Sequence, residues 1–198
     1  MTTEITDIEV SFKNKAQSSG TPSQAPAVFL QKYPKLVQEE KFTQELTRTL
    51  LECKKENSTL KGKSWSCCPK NWKPFGSNCY FISSYIRNWT DSKKHCERMQ
   101  AHLLVVDSKE EQDFIIKNLK MDQYYYFGLS DLKNGHWEWV NETPYNSSVT
   151  FWHRGQPDNP YDHCVVLEFN FQWYHWGWND IPCYLLQYSI CEMLMIYL

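Results

Sequence analysis

The chain has 198 residues, a formal net charge of −2, eight cysteines and 16% aromatic residues. The balanced charge, without a basic stripe, excludes the electrostatic footprint of a nucleic-acid-binding protein. Eight cysteines without a paired C-x-x-C motif exclude an ordinary cytosolic chain and favour an oxidising compartment.

In chain order, Met1 to Lys15 is polar and charged and is not a signal peptide. Met1 to Ala27 is predicted disordered, because Ser18 to Pro26 holds too little apolar surface to offset the ordering entropy. No window approaches the ~18 apolar residues of a membrane helix. Residues 28–64 are predicted to be a neck, helical to about Leu60, since Phe42, Leu46, Leu50 and Cys53 recur at three-to-four spacing. The stripe supports two readings: a short amphipathic stalk, or a self-associating neck whose Cys53 faces its twin across a homodimer.

The compact domain is predicted over residues 65–198. Trp72 to Ile82 reads as a hairpin turning at Gly76-Ser77-Asn78. Thr90 or Asp91 is expected to cap a helix ending near Met99. Leu103 to Val106 reads as a buried strand. Ser108 and Glu111 form a capping box for a second helix with Phe114, Ile115 and Leu119 on its apolar face. Short strands follow at Tyr126 to Leu129, Trp137 to Val140, Val165 to Phe169, Trp173 to Trp176 and Ser189 to Met193, and Tyr124-Tyr125-Tyr126 reads as a strand edge. Helices early and strands late indicate an α+β domain. Four glycosylation sequons, at Asn57, Asn88, Asn141 and Asn146, agree with an ectodomain of the secretory pathway.

The richest chemistry lies between Phe151 and Cys183. Gln156, Asp158, Asp162, Asn179 and Asp180 gather at the two ends of one apolar run, and Cys164 and Cys183 bracket it. Hard oxygen donors, several of them charged, are what Ca²⁺ takes, typically about 6–8 of them. No nucleophile elbow, H-E-x-x-H or phosphate loop is present, so the chain reads as a binding protein and not an enzyme. His153, His163 and His175 lack the helical spacing of a zinc site. Trp137, Trp139, Trp152, Trp176 and Trp178 read as core.

Cys68-Pro69-x-x-Trp72, with Phe75 and Cys79-Tyr80, resembles the opening hairpin of a C-type lectin domain. Phe127-Gly128-Leu129 falls at that family's core motif, Trp178-Asn179-Asp180 resembles its W-N-D, and Cys191-Glu192 its closing C-E. The resemblance implies a C-type lectin-like fold: two helices, short antiparallel strands, a long calcium-binding loop and three core disulfides, Cys68–Cys79, Cys96–Cys191 and Cys164–Cys183. Cys53 and Cys67 remain, either bonded to each other or with Cys53 bridging two chains. Met1 to Asn14 and Trp65 to Trp72 resemble the dendritic cell immunoreceptor subgroup of type II lectin receptors, an immune-receptor group of the plasma membrane. Two departures stand out. Asp7 replaces the tyrosine of that subgroup's I-T-Y-x-x-V motif, and no membrane helix follows the tail, so a soluble or mislocalised form is the alternative location.

Carried over by motif, the resemblance assigns Gln156, Asp158, Asp162, Asn179 and Asp180 to one calcium ion and to the sugar hydroxyls that share it, with Pro157 cis. In that family Gln-Pro-Asp goes with galactose-type hydroxyls and Glu-Pro-Asn with mannose-type ones. Tyr161 or Trp173 is placed to stack on the sugar. The implied partners are glycans of glycoproteins or glycolipids; the competing expectation is a calcium-independent lectin-like domain that binds protein. A second ion among Asp107, Glu111 and Glu192 competes with the capping-box reading of Glu111.

Overall fold

The computed structural model describes residues 6–8, 51–56 and 64–198. Most of the predicted tail, the neck before residue 51 and Asn57 lie outside these residues. The described elements are β1 (Thr6–Ile8), β2 (Leu51–Glu56), β3 (Ser64–Pro69), β4 (Lys73–Phe75), β5 (Asn78–Ile82), α1 (Trp89–Arg98), β6 (His102–Leu103), α2 (Lys109–Ile116), β7 (Tyr125–Ser130), β8 (Glu138–Trp139), β9 (Cys164–Asn170), β10 (His175–Ile181), β11 (Tyr188–Leu194) and β12 (Ile196–Tyr197). They fall into two compact units, one of Asn71–Met195, the other of Met1–Lys70 with Ile196–Leu198.

The smaller unit is an antiparallel sheet in the order β1-β2-β3-β12. This corrects the expected helix at its C-terminal end: residues 51–56 are extended, and each faces a residue of β3. Cys53 lies opposite Cys67 and is disulfide-bonded to it. The local spacing of Leu50 and Cys53 suits a helix, but a non-local ladder and a covalent bond take the backbone groups that a helix would use. The same bond takes the Cys53 sulfur out of any bridge between two chains.

The larger unit is a sheet in the order β10-β9-β7-β11-β5-β4, with β6 paired to β11 and β8 to β7. Its pairs are antiparallel except β7 with β11, which run parallel, a departure from the expected all-antiparallel set. Tyr125 and Tyr126 therefore open a central strand flanked by β9 and β11, not an edge, and both are buried. The hairpin of β4 and β5 turns through Gly76, whose φ of +57° lies in the left-handed region. Cys96 is bonded to Cys191 and Cys164 to Cys183; Cys68 and Cys79 are each disulfide-bonded as well.

α1 is capped by Asn88, not by Thr90 or Asp91: the Asn88 Oδ1 accepts from Asp91 N at 2.8 Å. Starting the helix at Trp89 lets the indole reach the core and donate to Phe127 O at 2.9 Å. α2 is capped by Ser108, whose Oγ accepts from Glu111 N, and Ile115 carries its buried face. The core gathers Tyr80, Val105, Ile115, Phe127, Leu129, Trp139, Leu167, Trp178 and Ile190.

Gly128 sits where β7, β8 and the β6 extension meet. It donates to Leu104 O at 2.8 Å, and its carbonyl accepts from Val140 N at 2.9 Å. A Cβ there would lie 2.6 Å from Val140 Cγ2 and 2.9 Å from Leu103 O. Gly128→Ala should therefore destabilise the protein by about 1–3 kcal/mol through overpacking. Urea unfolding checks this, and a change within about 0.5 kcal/mol, the range of an ordinary surface substitution, would contradict it.

Candidate functional site

The candidate residues lie on two pieces of chain. Gln156, Asp158, Tyr161 and Asp162 belong to the loop that precedes β9, and Asn179 and Asp180 belong to β10. Trp178 holds the start of the loop: its N donates to Phe151 O at 2.7 Å, and its carbonyl accepts from His153 N at 2.9 Å. The chain then turns through Gly155, at φ +92°, and the Gln156–Pro157 peptide is cis, as the motif leads one to expect.

Asp180 holds the next part of the loop. Its Oδ1 accepts from Asp158 N and its Oδ2 from Asn159 N, both at 3.4 Å. The side chain is buried, and burial is the main cause that raises its pKa above the usual carboxylate value. The loop N–H bonds oppose that shift, while the nearby Asp158 charge adds to it. Among the described residues no Lys, Arg or His forms an ion pair with Asp180.

Gln156 Oε1 and Asn179 Oδ1 are both buried and lack a hydrogen-bond partner. Orphaned buried acceptors are costly and call for a partner. Two such oxygens, with the buried Asp180 carboxylate and a second acid on the loop that Asp180 holds, are the hard donor types that fit Ca²⁺. Asp162 is turned onto its own loop, where its Oδ2 accepts from Asn159 Nδ2 at 2.8 Å. Among the described residues, no three His, Cys, Asp or Glu side chains converge closely enough to hold a metal, so the fit depends on the two carboxamides.

Tyr161 is 82% exposed. Trp173 is exposed at the β9–β10 turn, where its ring stacks on His175 at 6.3 Å. His153, His163 and His175 do not converge: His163 Nδ1 lies 2.8 Å from Asp131 Oδ1, while His153 packs on His175 at 4.9 Å. Asn88 of the sequons is engaged as a helix cap, whereas Asn141 and Asn146 are exposed. A separate cleft of about 370 Å³, floored by Trp89, Trp139 and Val140, includes none of the candidate ligands.

Sequence reasoning missed Glu168 and the burial of His153. Glu168 is half-buried in β9, and His153 Nε2 lies 3.8 Å from its Oε1. The available signal was a lone acid within the apolar run Val165 to Phe169. A second pair of buried acids lies away from the loop. Glu111 accepts from Tyr80 OH and from Asp107 N, which extends the capping box. Glu192 accepts from Asn78 Nδ2 at 2.6 Å and from Val105 N at 3.0 Å.

The chain belongs to the C-type lectin domain family: the Lectin C-type domain profile matches residues 85–193. It is similar along its whole length to C-type lectin domain family 4 member A of Homo sapiens, 45% identical with all of both chains covered. That alignment runs over 238 positions against a chain of 198 residues, so the relative has internal segments without a counterpart here. Among solved structures it is similar to the C-type lectin domain of murine dendritic cell inhibitory receptor 2 in complex with N-glycan, at 44% identity and TM-score 0.61, covering 64% of this chain and 98% of that one. A calcium-independent type II antifreeze protein shares the fold at 26% identity and TM-score 0.59, covering 66% and 97%. The fold alone therefore does not decide calcium dependence.

Burial, chiefly, pushes the Glu192 carboxyl up to about 8 from a usual 4.5, against the Val105 N–H bond that lowers it. The folded state then holds a proton that the unfolded chain releases between those values, so in calcium-free buffer stability should fall as pH rises from about 4.5 to about 8. Glu192→Gln should flatten that slope. Urea unfolding at a series of pH values checks it; an equal slope in both proteins contradicts it.

Proposed function

We propose that this chain is a calcium-dependent glycan-binding receptor domain, with Gln156, Asp158, Asp162, Asn179 and Asp180 holding one Ca²⁺. The observation that carries this reading is the pair of buried, unpartnered carboxamide oxygens, Gln156 Oε1 and Asn179 Oδ1, on the loop and strand that the buried Asp180 carboxylate joins. When bound, the ion supplies a point of attachment for two neighbouring sugar hydroxyls. The protein's own task is to hold the loop by Trp178 and Asp180 and to present acceptors from its carboxylates and donors from its amides. Tyr161 offers an apolar ring to the sugar face. The order amide-Pro157-acid is the reverse of the mannose-type order, so the reading favours galactose-type hydroxyls.

The N-glycan complex of the murine relative supports a glycan as partner. The family resemblance supports a type II receptor of the plasma membrane with the lectin domain outside the cell; no helix among the described residues is long and apolar enough to cross a membrane. The sequons support a glycosylated ectodomain, with Asn141 and Asn146 the accessible acceptors. The profile matched is a binding domain, and the reading involves no catalysis. A calcium-independent, protein-binding domain is the second reading; the calcium-independent antifreeze neighbour supports its lack of an ion and says nothing of a protein ligand.

A glycan array probed in calcium and again in EDTA separates the two. Binding to galactose-terminated glycans that EDTA abolishes is expected, and Gln156→Glu with Asp158→Asn should move the preference toward mannose. Binding that survives EDTA sinks the calcium-dependent reading; identical preferences in both proteins sink the galactose assignment.

A further inference from the structure

We infer that Asn159 is a positioning residue for the ion site: its amide nitrogen holds one oxygen of Asp162, so that the other oxygen is left to the ion. This rests on the calcium-dependent reading above. Asp162 needs such a partner because it is not held as Asp180 is. Asp180 belongs to β10 and is buried, whereas Asp162 lies on the long loop and is only half-buried. A side chain on a loop turns among several staggered rotamers, with water competing for its oxygens in each. A donor fixed nearby selects one of them before the ion arrives.

Asn159 supplies that donor, and its own place is fixed from every side. Its N–H donates to Asp180 Oδ2 at 3.4 Å, and its carbonyl accepts from Asp162 N at 3.1 Å. Its Oδ1 accepts from Tyr161 N at 3.1 Å, and its Nδ2 donates to Asp162 Oδ2 at 2.8 Å. The residue is exposed, with water at hand for each of these groups, yet each has a partner in the protein. Pro160 follows and has no N–H, so Tyr161 N is the first donor that can close the turn onto Asn159 Oδ1. One residue thus touches both acids, taking an oxygen of Asp180 through its backbone and an oxygen of Asp162 through its side chain. Among the described residues no hydrogen bond reaches Asp162 Oδ1, which stays available to a cation. The backbone bonds alone would shape the turn; the side-chain bond is what orients the acid. Ligand residues commonly depend on such outer partners, whose loss weakens metal affinity about 10–100-fold.

Isothermal titration of the full chain with CaCl₂ tests this. Asn159→Ala removes the donor, and calcium affinity should fall about 10-fold, and by no less than about threefold. Asp162→Asn reverses the requirement. Its amide has a single oxygen, and the Asn159 donor takes that oxygen and turns the NH₂ end toward the ion. In that background Asn159→Ala should leave calcium affinity within about threefold or improve it. A general loosening of the loop would weaken binding in both backgrounds and so could not produce this difference. Asn159→Ser, which keeps an acceptor for Tyr161 N but lacks the amide donor, gives the same comparison if the alanine variant does not fold. The proposal is overturned if Asn159→Ala costs the natural chain less than about threefold, or costs the Asp162→Asn chain more than about threefold. A natural chain that binds no calcium overturns the underlying reading as well, a result distinct from either of these.

Discussion

Trp178 fixes the geometry on which the rest of the binding face depends. Its indole is fully buried among Phe127, Trp139, Phe151 and Trp152, with ring centroids 5.2–6.0 Å away, and its Nε1 donates to Gln112 Oε1 at 2.7 Å. Its backbone is equally committed, through the exchange of hydrogen bonds with Phe151 and His153. Burying one indole therefore sets the register of β10 and the entry of the long loop together. A one-residue slip would expel Trp178 from the core and misplace Asn179 and Asp180 with it.

From that fixed point the site follows in two steps. Asp180, two residues on, grips Asp158 and Asn159 through their N–H groups, so the start and the middle of the loop are tied to two residues of β10, Trp178 and Asp180. Asn179, between them, lies opposite Val166 across the ladder. What remains is a concentration of oxygen: a buried carboxylate raised by burial, a neighbouring acid, and two amide oxygens without partners. Among the described residues no Lys, Arg or His forms an ion pair with Asp180. A divalent cation would relieve the repulsion of Asp158 and Asp180 and satisfy both amides at once, which is why the ion and the loop geometry belong to one account.

Much of this was legible in the sequence because it is written in local motifs. Gln156-Pro157-Asp158 and Trp178-Asn179-Asp180 carry their chemistry in adjacent residues, and the hairpin through Gly76 and the cap at Ser108 are equally local. Non-local pairing was not legible. Residues 51–56 follow a helical stripe, yet β3 and the Cys53–Cys67 bond draw them into a sheet. Tyr125 and Tyr126 carry polar groups suited to an edge, but parallel pairing with β11 places them centrally. Asn88, Thr90 and Asp91 are all local candidates for the cap, and the reach of Trp89 into the core selects Asn88. Glu168 and His153 have no motif at all; their closeness appears only once the β9–β10 register sets Glu168 opposite Gly177, whose missing Cβ leaves room for the His153 ring.

The central claim is that the loop and β10 form an ion site in the folded state only. An ion bound by the folded state alone stabilises it by RT ln(1 + [L]/Kd), about 2.7 kcal/mol at a hundredfold excess over Kd. Thermal unfolding of the natural chain and of Asp180→Ala, each with millimolar CaCl₂ and with EDTA, measures this directly. The account predicts a Tm that rises with calcium in the natural chain and does not move in Asp180→Ala. Equal calcium-induced rises in both proteins, or no rise in the natural chain, would contradict it.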